Sequence, residues 1–370
     1  MMDMATILIL GGYGSAGRTI ARLLLQATNA QKVIIAGRNE VKAQQQSENL
    51  AAEFGAERIS PLVVDAGDRI GLRQSLAQVG LVIVCLAYRG NQAENVLQAV
   101  LEQGIHYIDL SPNARKQTVL QSLAEQLAAR GCIVLTEAGI VPGCPSMLAR
   151  LAAQSLDSVQ EITLGSLYRD RDLAYDGAYD LASHADEPFV VYKQGRWQRV
   201  SALATRRVFF GDRFGWQLAL PVRLNELQNL PQKLDIENLN LYQGGLNPVS
   251  DGLLLLWKSL SFLRSERMLS RFARLFLWTT QRFTQQPFGI IQRLTAQGVK
   301  DGRSQQFTAT LSQTDMYLAT AIPVVAAACQ ILNGTIKQAG PQFMGHAVHP
   351  QRFMDEMAQL GMGVTIEESV

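Results

Sequence analysis

Gly12, Gly14 and Gly17 stand in the spacing G-x-G-x-x-G within TILILGGYGSAG, residues 6–17. A short apolar, β-branched run precedes them, and the helix-prone RTIARLLL of 18–25 follows. Glycines at a strand-to-helix turn suit phosphate chemistry: Gly12 takes the tight turn, Gly14 has no Cβ to block a pyrophosphate, and Gly17 lets strand and helix pack closely. Tyr13, Ser15 and Ala16 complete the stretch, with the helix N-terminus facing the anion. The plain alternative is a tight turn that holds no ligand.

A second group lies at the end of the next apolar run, KVIIA at 32–36, where Gly37-Arg38-Asn39 follows. A carboxylate there, roughly 20 residues past the glycines, would bind a ribose 2′-hydroxyl. The Arg38 guanidinium instead suits a 2′-phosphate and can stack on adenine, with Asn39 beside it and no carboxylate at these three positions to repel the phosphate. The pattern predicts NADP in preference to NAD; Arg38 as a solvated loop charge is the alternative. Other strand ends would point at the same crevice. Asp65 is expected near the adenine, Ala87 and Tyr88 near the nicotinamide ribose, and Gly139 in Glu137-Ala138-Gly139 at the sixth strand end. Asp65, like Ser111, suits helix capping equally well. Hydride transfer asks little of the protein beyond orientation, water exclusion and a proton donor. Tyr88 is a candidate donor, whereas His106 sits at the start of its strand and reads as structural.

These residues need a scaffold, and the first 143 residues supply its pattern: short apolar runs alternating with longer amphipathic ones. Strands are predicted at 6–10, 32–36, 59–64, 81–85, 106–109 and 132–136, with helices at 16–27, 40–54, 70–78, 91–103 and 113–130. The expected fold is α/β, a Rossmann doubly wound parallel sheet followed by a second, α+β domain with a mixed or antiparallel sheet and a helical insert. Boundaries are expected at 1–143 for the nucleotide domain, 144–340 for the substrate and dimerisation domain, and 341–370 for a segment packing back on the first.

Beyond residue 153 the crossover helices disappear. Strand-like runs at 158–168, 188–200, 205–210, 216–222, 290–298 and 305–312 include hairpin signals at Gln194-Gly195 and Asp301-Gly302. Residues 252–286 read instead as helices, with Lys258, Arg264, Arg267, Arg271, Arg274 and Arg282 against the single acid Glu266. Such a basic amphipathic stretch suits an anionic membrane surface or the wall of an apolar substrate site. An ordinary helix pair packed on the sheet, or a dimer contact, is the simpler reading. Residues 175–180 read as a polar loop, AlaGlyProGln at 339–342 as loop, and 316–332 as a helix of small residues.

Composition sets the bounds. A chain of 370 residues suggests two domains, 47% hydrophobic and 18% charged residues suit a soluble globular protein, and a net charge of +2 gives no reason to expect nucleic acid. The four cysteines carry no metal-ligand spacing and read as buried thiols in a reducing compartment; no metal is expected. Neither a signal peptide nor a membrane span is predicted, the run 317–332 being short and broken by Pro323. A cytoplasmic location follows, or one peripheral to a membrane through 252–286.

With GGYGSAG at 11–17, AGRN at 36–39, GIHYIDLS at 104–111 and EAGIVPGCPSMLA at 137–149 in place, the sequence resembles the saccharopine dehydrogenase-like oxidoreductases. QGRW at 194–197, NELQNLPQKL at 225–234 and ILNGTIKQAG with HPQRFMDEMAQLGMGV in 331–364 extend the resemblance nearly end to end. It implies a Rossmann domain joined to an α/β substrate domain, NAD(P) between them, and often a homodimer. It also places the 168–184 region over the nicotinamide, where Arg169 or Arg171 would clamp a substrate carboxylate and His184 would serve as general acid. The alternating Arg and Asp there read equally as a self-neutralised surface loop. Three readings follow: hydride transfer at a C–N bond of an amino-acid-derived small molecule, reduction of a lipidic or polyene C=C or C=O bond, or a non-catalytic NADP-binding sensor.

Overall fold

The computed structural model describes residues 6–28, 32–171, 173–183, 188–201, 204–259 and 265–369. It divides into two compact units, Met1–Met147 with Tyr317–Met362, and Leu148–Met316 with Gly363–Val370.

In the first unit the strands are β1 (Thr6–Leu10), β2 (Lys32–Gly37), β3 (Ile59–Val63), β4 (Leu81–Val84), β5 (His106–Asp109) and β6 (Ile133–Thr136). Helices Ser15–Ala27, Glu40–Phe54, Arg69–Ser75, Gln92–Gln103 and Ala114–Ala129 alternate with them. All strand pairs are parallel, with Ile9 facing both Ile35 and Ile83 across the ladder. Buried on both faces, β1 and β4 are nearly continuous Leu, Ile and Val, as a sheet covered by helices requires. Leu8, Leu10, Val82, Val84, Val96, Val100 and Leu127 belong to one core on this sheet.

The second unit holds β7 (Ser158–Arg169), β8 (Val190–Lys193), β9 (Arg196–Arg199), β10 (Arg206–Phe209), β11 (Trp216–Pro221), β12 (Asn238–Gly244), β13 (Gly289–Lys300) and β14 (Arg303–Gln313). Two further strands close the chain, β15 (Gly340–Phe343) and β16 (Gly363–Ser369). The first sheet runs β15-β6-β5-β4-β1-β2-β3, and the second β10-β11-β12-β7-β13-β14-β16, with β8 and β9 attached at β12. The second is mixed: β7 pairs parallel with β12 and antiparallel with β13. Positive φ at Gln194, Gly195, Asp301 and Gly302 builds its two tight hairpin turns.

Three segments depart from the sequence reading. Residues Tyr175–Ser183 are a helix, not a polar loop, because Ala178 and Ala182 bury completely at helical spacing. β12 goes unannounced: its Leu239 and Leu241 are buried, but the intervening asparagines look like a turn. GPQF at 340–343 pairs with β6 from Gly340↔Ile133 to Phe343↔Thr136, so the first sheet has a seventh strand supplied by its partner's edge rather than by its own pattern. The helix Met316–Leu332 stands where the sequence places it and runs through Pro323, since burial of nearly every turn from Ala319 to Ile331 offsets the missing hydrogen bond. After β15 the chain divides: helix Pro350–Gln359 lies in the first unit, whereas β16 pairs with β14.

Candidate functional site

Strand order reverses between β1 and β4, the point in an open parallel sheet where ligands bind beyond the carboxyl ends. The glycine turn sits on that point. Gly11 and Gly12 donate their N–H groups to Ala36 O at 2.8 and 3.2 Å, and Gly14 donates to Gly11 O at 3.0 Å. A Cβ on Gly17 would collide with Gly11 O, and one on Gly12 would come within 2.9 Å of Ile9 O. Gly14 differs: its Cβ position meets only Gly11 O, at 3.2 Å, with nothing else within 4 Å. Gly14 is also the N-cap of helix Ser15–Ala27, which has no side-chain cap and no acidic residue in its first turn. Ser15 and Ala16 thus begin a helix whose leading N–H groups are uncapped and whose approach is open, the arrangement that binds an anion.

Tyr13 ties this turn to the end of β2. Its ring fills the space beside Gly37, where any Cβ would strike it, and its hydroxyl accepts the Asn39 N–H at 3.1 Å. Asn39 Oδ1 in turn accepts the Lys42 N–H at 2.9 Å, capping helix Glu40–Phe54. Arg38, between them, is exposed and has no ion-pair partner among the described residues. An unengaged guanidinium beside a phosphate-suited turn fits the 2′-phosphate of NADP.

At the β3 end, Asp65 Oδ1 accepts the Gly67 N–H at 2.8 Å, and the next helix is capped by Asp68 instead, through Ile70 N–H at 3.1 Å. After β4, Ala87 is exposed and Tyr88 half-buried. The Tyr88 hydroxyl lies 2.8 Å from that of Tyr107, which donates to Asp109 Oδ2 at 2.6 Å. Asp109 Oδ1 also receives Lys116 Nζ at 2.7 Å and the Glu137 N–H at 3.1 Å, and Thr136 Oγ1 lies within 3.3 Å of both carboxylate oxygens. Lys116 further donates to Ser111 O. Both Lys116 and Asp109 are buried, at 0% and 1% exposure, so this is an ion pair whose satisfaction by extra donors decides whether it is tolerable. Burial, reinforced by the Asp109 charge, holds the Tyr88 and Tyr107 phenols well above their ordinary pKa.

Because the Tyr107 proton is committed to Asp109, Tyr88 donates inward to Tyr107. His106 Nδ1 accepts the Ile133 N–H at 3.0 Å, and burial lowers its pKa; it is a tie between β5 and β6. Gly139 follows Glu137, a buried residue at φ 54°, and its carbonyl accepts the Cys144 N–H at 3.2 Å. Burial alone pushes the Cys85 thiol up to about 12, so it is no nucleophile at neutral pH.

In the second unit, Arg169 at the end of β7 donates from Nε to Gly245 O at 2.8 Å and lies over the Phe214 ring, 5.5 Å from its centroid. Arg171 donates from Nε to Thr284 O at 2.6 Å. Asp251, in the first turn of helix Pro248–Ser259, is pushed up to about 6 by burial, against the pull of the Gly245 and Leu246 amides and of Arg169. His184 lies outside the described residues. Sequence reasoning missed Lys116 and Asp251: each sits on a helix at a position whose neighbours read as ordinary solvent-facing residues.

Residues 7–135 match the saccharopine dehydrogenase NADP binding domain. Among solved structures, apo saccharopine dehydrogenase (L-Glu forming) from Saccharomyces cerevisiae superposes with a TM-score of 0.71 at 16% identity, covering 99% of this chain and 100% of that one. The C. glutamicum DAP dehydrogenase in complex with DAP gives a TM-score of 0.47 at 14% identity over 97% and 99% of the two chains. The Campylobacter jejuni UDP-N-acetylglucosamine 4,6-dehydratase (inverting) is 28% identical over 121 residues, 28% of this chain, and the match spans about a third (35%) of that relative. The first unit is thus similar over residues 7–135 to that family's nucleotide domain, and the whole chain shares the fold of a saccharopine dehydrogenase.

Proposed function

We propose that this protein is an NADP-dependent oxidoreductase that transfers hydride to or from a C–N bond of an amino-acid-derived small molecule. The observation that carries the reading is the uncapped start of helix Ser15–Ala27 at Gly14, open on its ligand side, within a domain matching an NADP-binding family. Bound nicotinamide would supply or receive the hydride. The chain's own residues hold and orient. Ser15 and Ala16 present backbone N–H groups to the pyrophosphate past the bare Cα of Gly14, Tyr13 fixes the turn against β2, and Arg38 binds the 2′-phosphate. Asp65 and Gly139 shape the adenine and nicotinamide ends through their turns. Tyr88 acts as an acceptor for a ligand hydroxyl or amide, since its proton is directed at Tyr107. Ala87, exposed beside it, leaves room for that ligand.

Substrate class is supported by the end-to-end likeness in fold to a saccharopine dehydrogenase. Arg169, held by Gly245 O at Nε and by the Phe214 ring beneath its guanidinium, is the group we assign to a substrate carboxylate. The test begins with titration of the full chain by NADPH and NADH, followed by loss of NADPH absorbance with a 2-oxo acid and an amino acid together. Tight NADPH binding with turnover that requires both partners is expected. Absence of NADPH binding would overturn the whole reading, whereas binding without turnover of any carbonyl or imine would leave a sensor.

A further inference from the structure

Helix Glu266–Phe283 is apolar on its buried side, where Phe272, Ala273 and Phe276 pack, with the Phe272 ring stacked 4.3 Å from Trp257 of helix Pro248–Ser259. Core packing accounts for that face. It does not account for the opposite one. Arg267, Arg271, Arg274, Trp278 and Arg282 follow each other at spacings of three and four residues, and all are exposed. Beside them Met268 is 38% exposed, Leu275 48%, Trp278 56% and Phe283 40%. None of the four arginines has an acidic partner among the described residues, and the one acid in the helix is Glu266. Trp278 and Phe283 meet edge to face in solvent, with Arg282 over the Phe283 ring.

We propose that this face docks on an anionic membrane surface. Mixed Arg, Trp, Phe, Leu and Met on one helical strip matches the interfacial zone of a bilayer, where guanidinium groups reach headgroup phosphates and aromatic rings sit at the acyl boundary. A second copy of the chain is a poorer occupant, because a two-fold interface would set these arginines against themselves. Docking lies flat on the surface: among the described residues no helix is long and apolar enough to cross a membrane. The inference is independent of the reaction, and NADPH binding serves as the control for a folded protein.

The experiment is co-sedimentation of the full chain with vesicles of phosphatidylcholine alone and of phosphatidylcholine mixed with phosphatidylglycerol, at low and high salt. Binding to the anionic vesicles that salt weakens is expected. Arg271→Gln with Arg274→Gln should lower partitioning about thirty-fold, at roughly fivefold per basic residue near the surface. Trp278→Ser should lower it several-fold through lost interfacial burial. Equal binding to neutral vesicles, no binding to either kind, or full binding by the arginine variant would each overturn the proposal. So would a concentration-dependent dimer that the arginine variant abolishes without any vesicle binding.

Discussion

Tyr88, Tyr107, Asp109 and Lys116 show how a residue's role depends on the direction of its hydrogen bonds. A strand-end tyrosine read from sequence alone looks like a proton donor, but here the donors all run inward to a buried carboxylate. Tyr107→Phe removes the acceptor of the Tyr88 proton, so Tyr88 can turn its hydroxyl outward. Tyr88→Phe and Tyr107→Phe should each weaken NADPH binding about tenfold, the magnitude of one lost hydrogen bond. The double variant should lose no more than either alone, which a double-mutant cycle of dissociation constants checks; additive losses would separate the two residues. Arg38→Ala should weaken NADPH ten- to a hundredfold, as expected of a charge-assisted contact, and leave NADH within about twofold. Equal affinities for the two nucleotides in the parent protein would remove the role of Arg38. The glycine spacing and the acid-free Gly37-Arg38-Asn39 were legible because a missing Cβ and a missing carboxylate are visible in the sequence itself. Lys116 was not, because only the fold turns its charge inward.

Elements set the surroundings that tune these groups. Helix Pro248–Ser259 begins at Asn247, whose Oδ1 accepts the Ser250 N–H at 2.9 Å, and Asp251 follows in a first turn half-closed to water. Its carboxyl, raised from 3.8 to about 6, binds a proton in the folded chain over a range where the unfolded chain has released it. Its contribution to stability is therefore complete below about pH 4 and is lost as pH rises through about 6. Asp251→Asn should be more stable than the parent at pH 7.5, by on the order of 2 kcal/mol. That advantage should fade toward pH 4, as urea melts at several pH values would reveal; a pH-independent difference would contradict it. Patterning found the elements whose burial is one-sided or continuous, such as β1, β4 and helix Glu40–Phe54. It passed over helix Tyr175–Ser183 and β12, where glycine, tyrosine, aspartate and asparagine look like turn chemistry and only packing on neighbouring elements decides.

At the scale of the molecule, the chain leaves the first unit near residue 147, returns near 317 and crosses again near 362 to place β16 on the edge of the second sheet. That last strand is mostly exposed, so it is held by its ladder, from Ser312↔Gly363 to Gln306↔Ser369, and by Lys300 Nζ and Gln305 Nε2 on Glu368 at 2.8 and 3.1 Å. Deleting residues 363–370 would strip these bonds and leave β14 as an open edge, a ready template for pairing with another chain. Stability should fall by on the order of 2 kcal/mol, with greater aggregation on heating. The glycine turn, Tyr13 and Arg38 all lie in the first unit, on a sheet to which β16 contributes nothing. NADPH affinity of the truncated chain should therefore stay within about twofold of the parent, measured by calorimetry below the melting transition. A folded truncation that no longer bound NADPH would mean that the nucleotide site draws on the second unit, and the assignment of cofactor binding to the first sheet alone would fail.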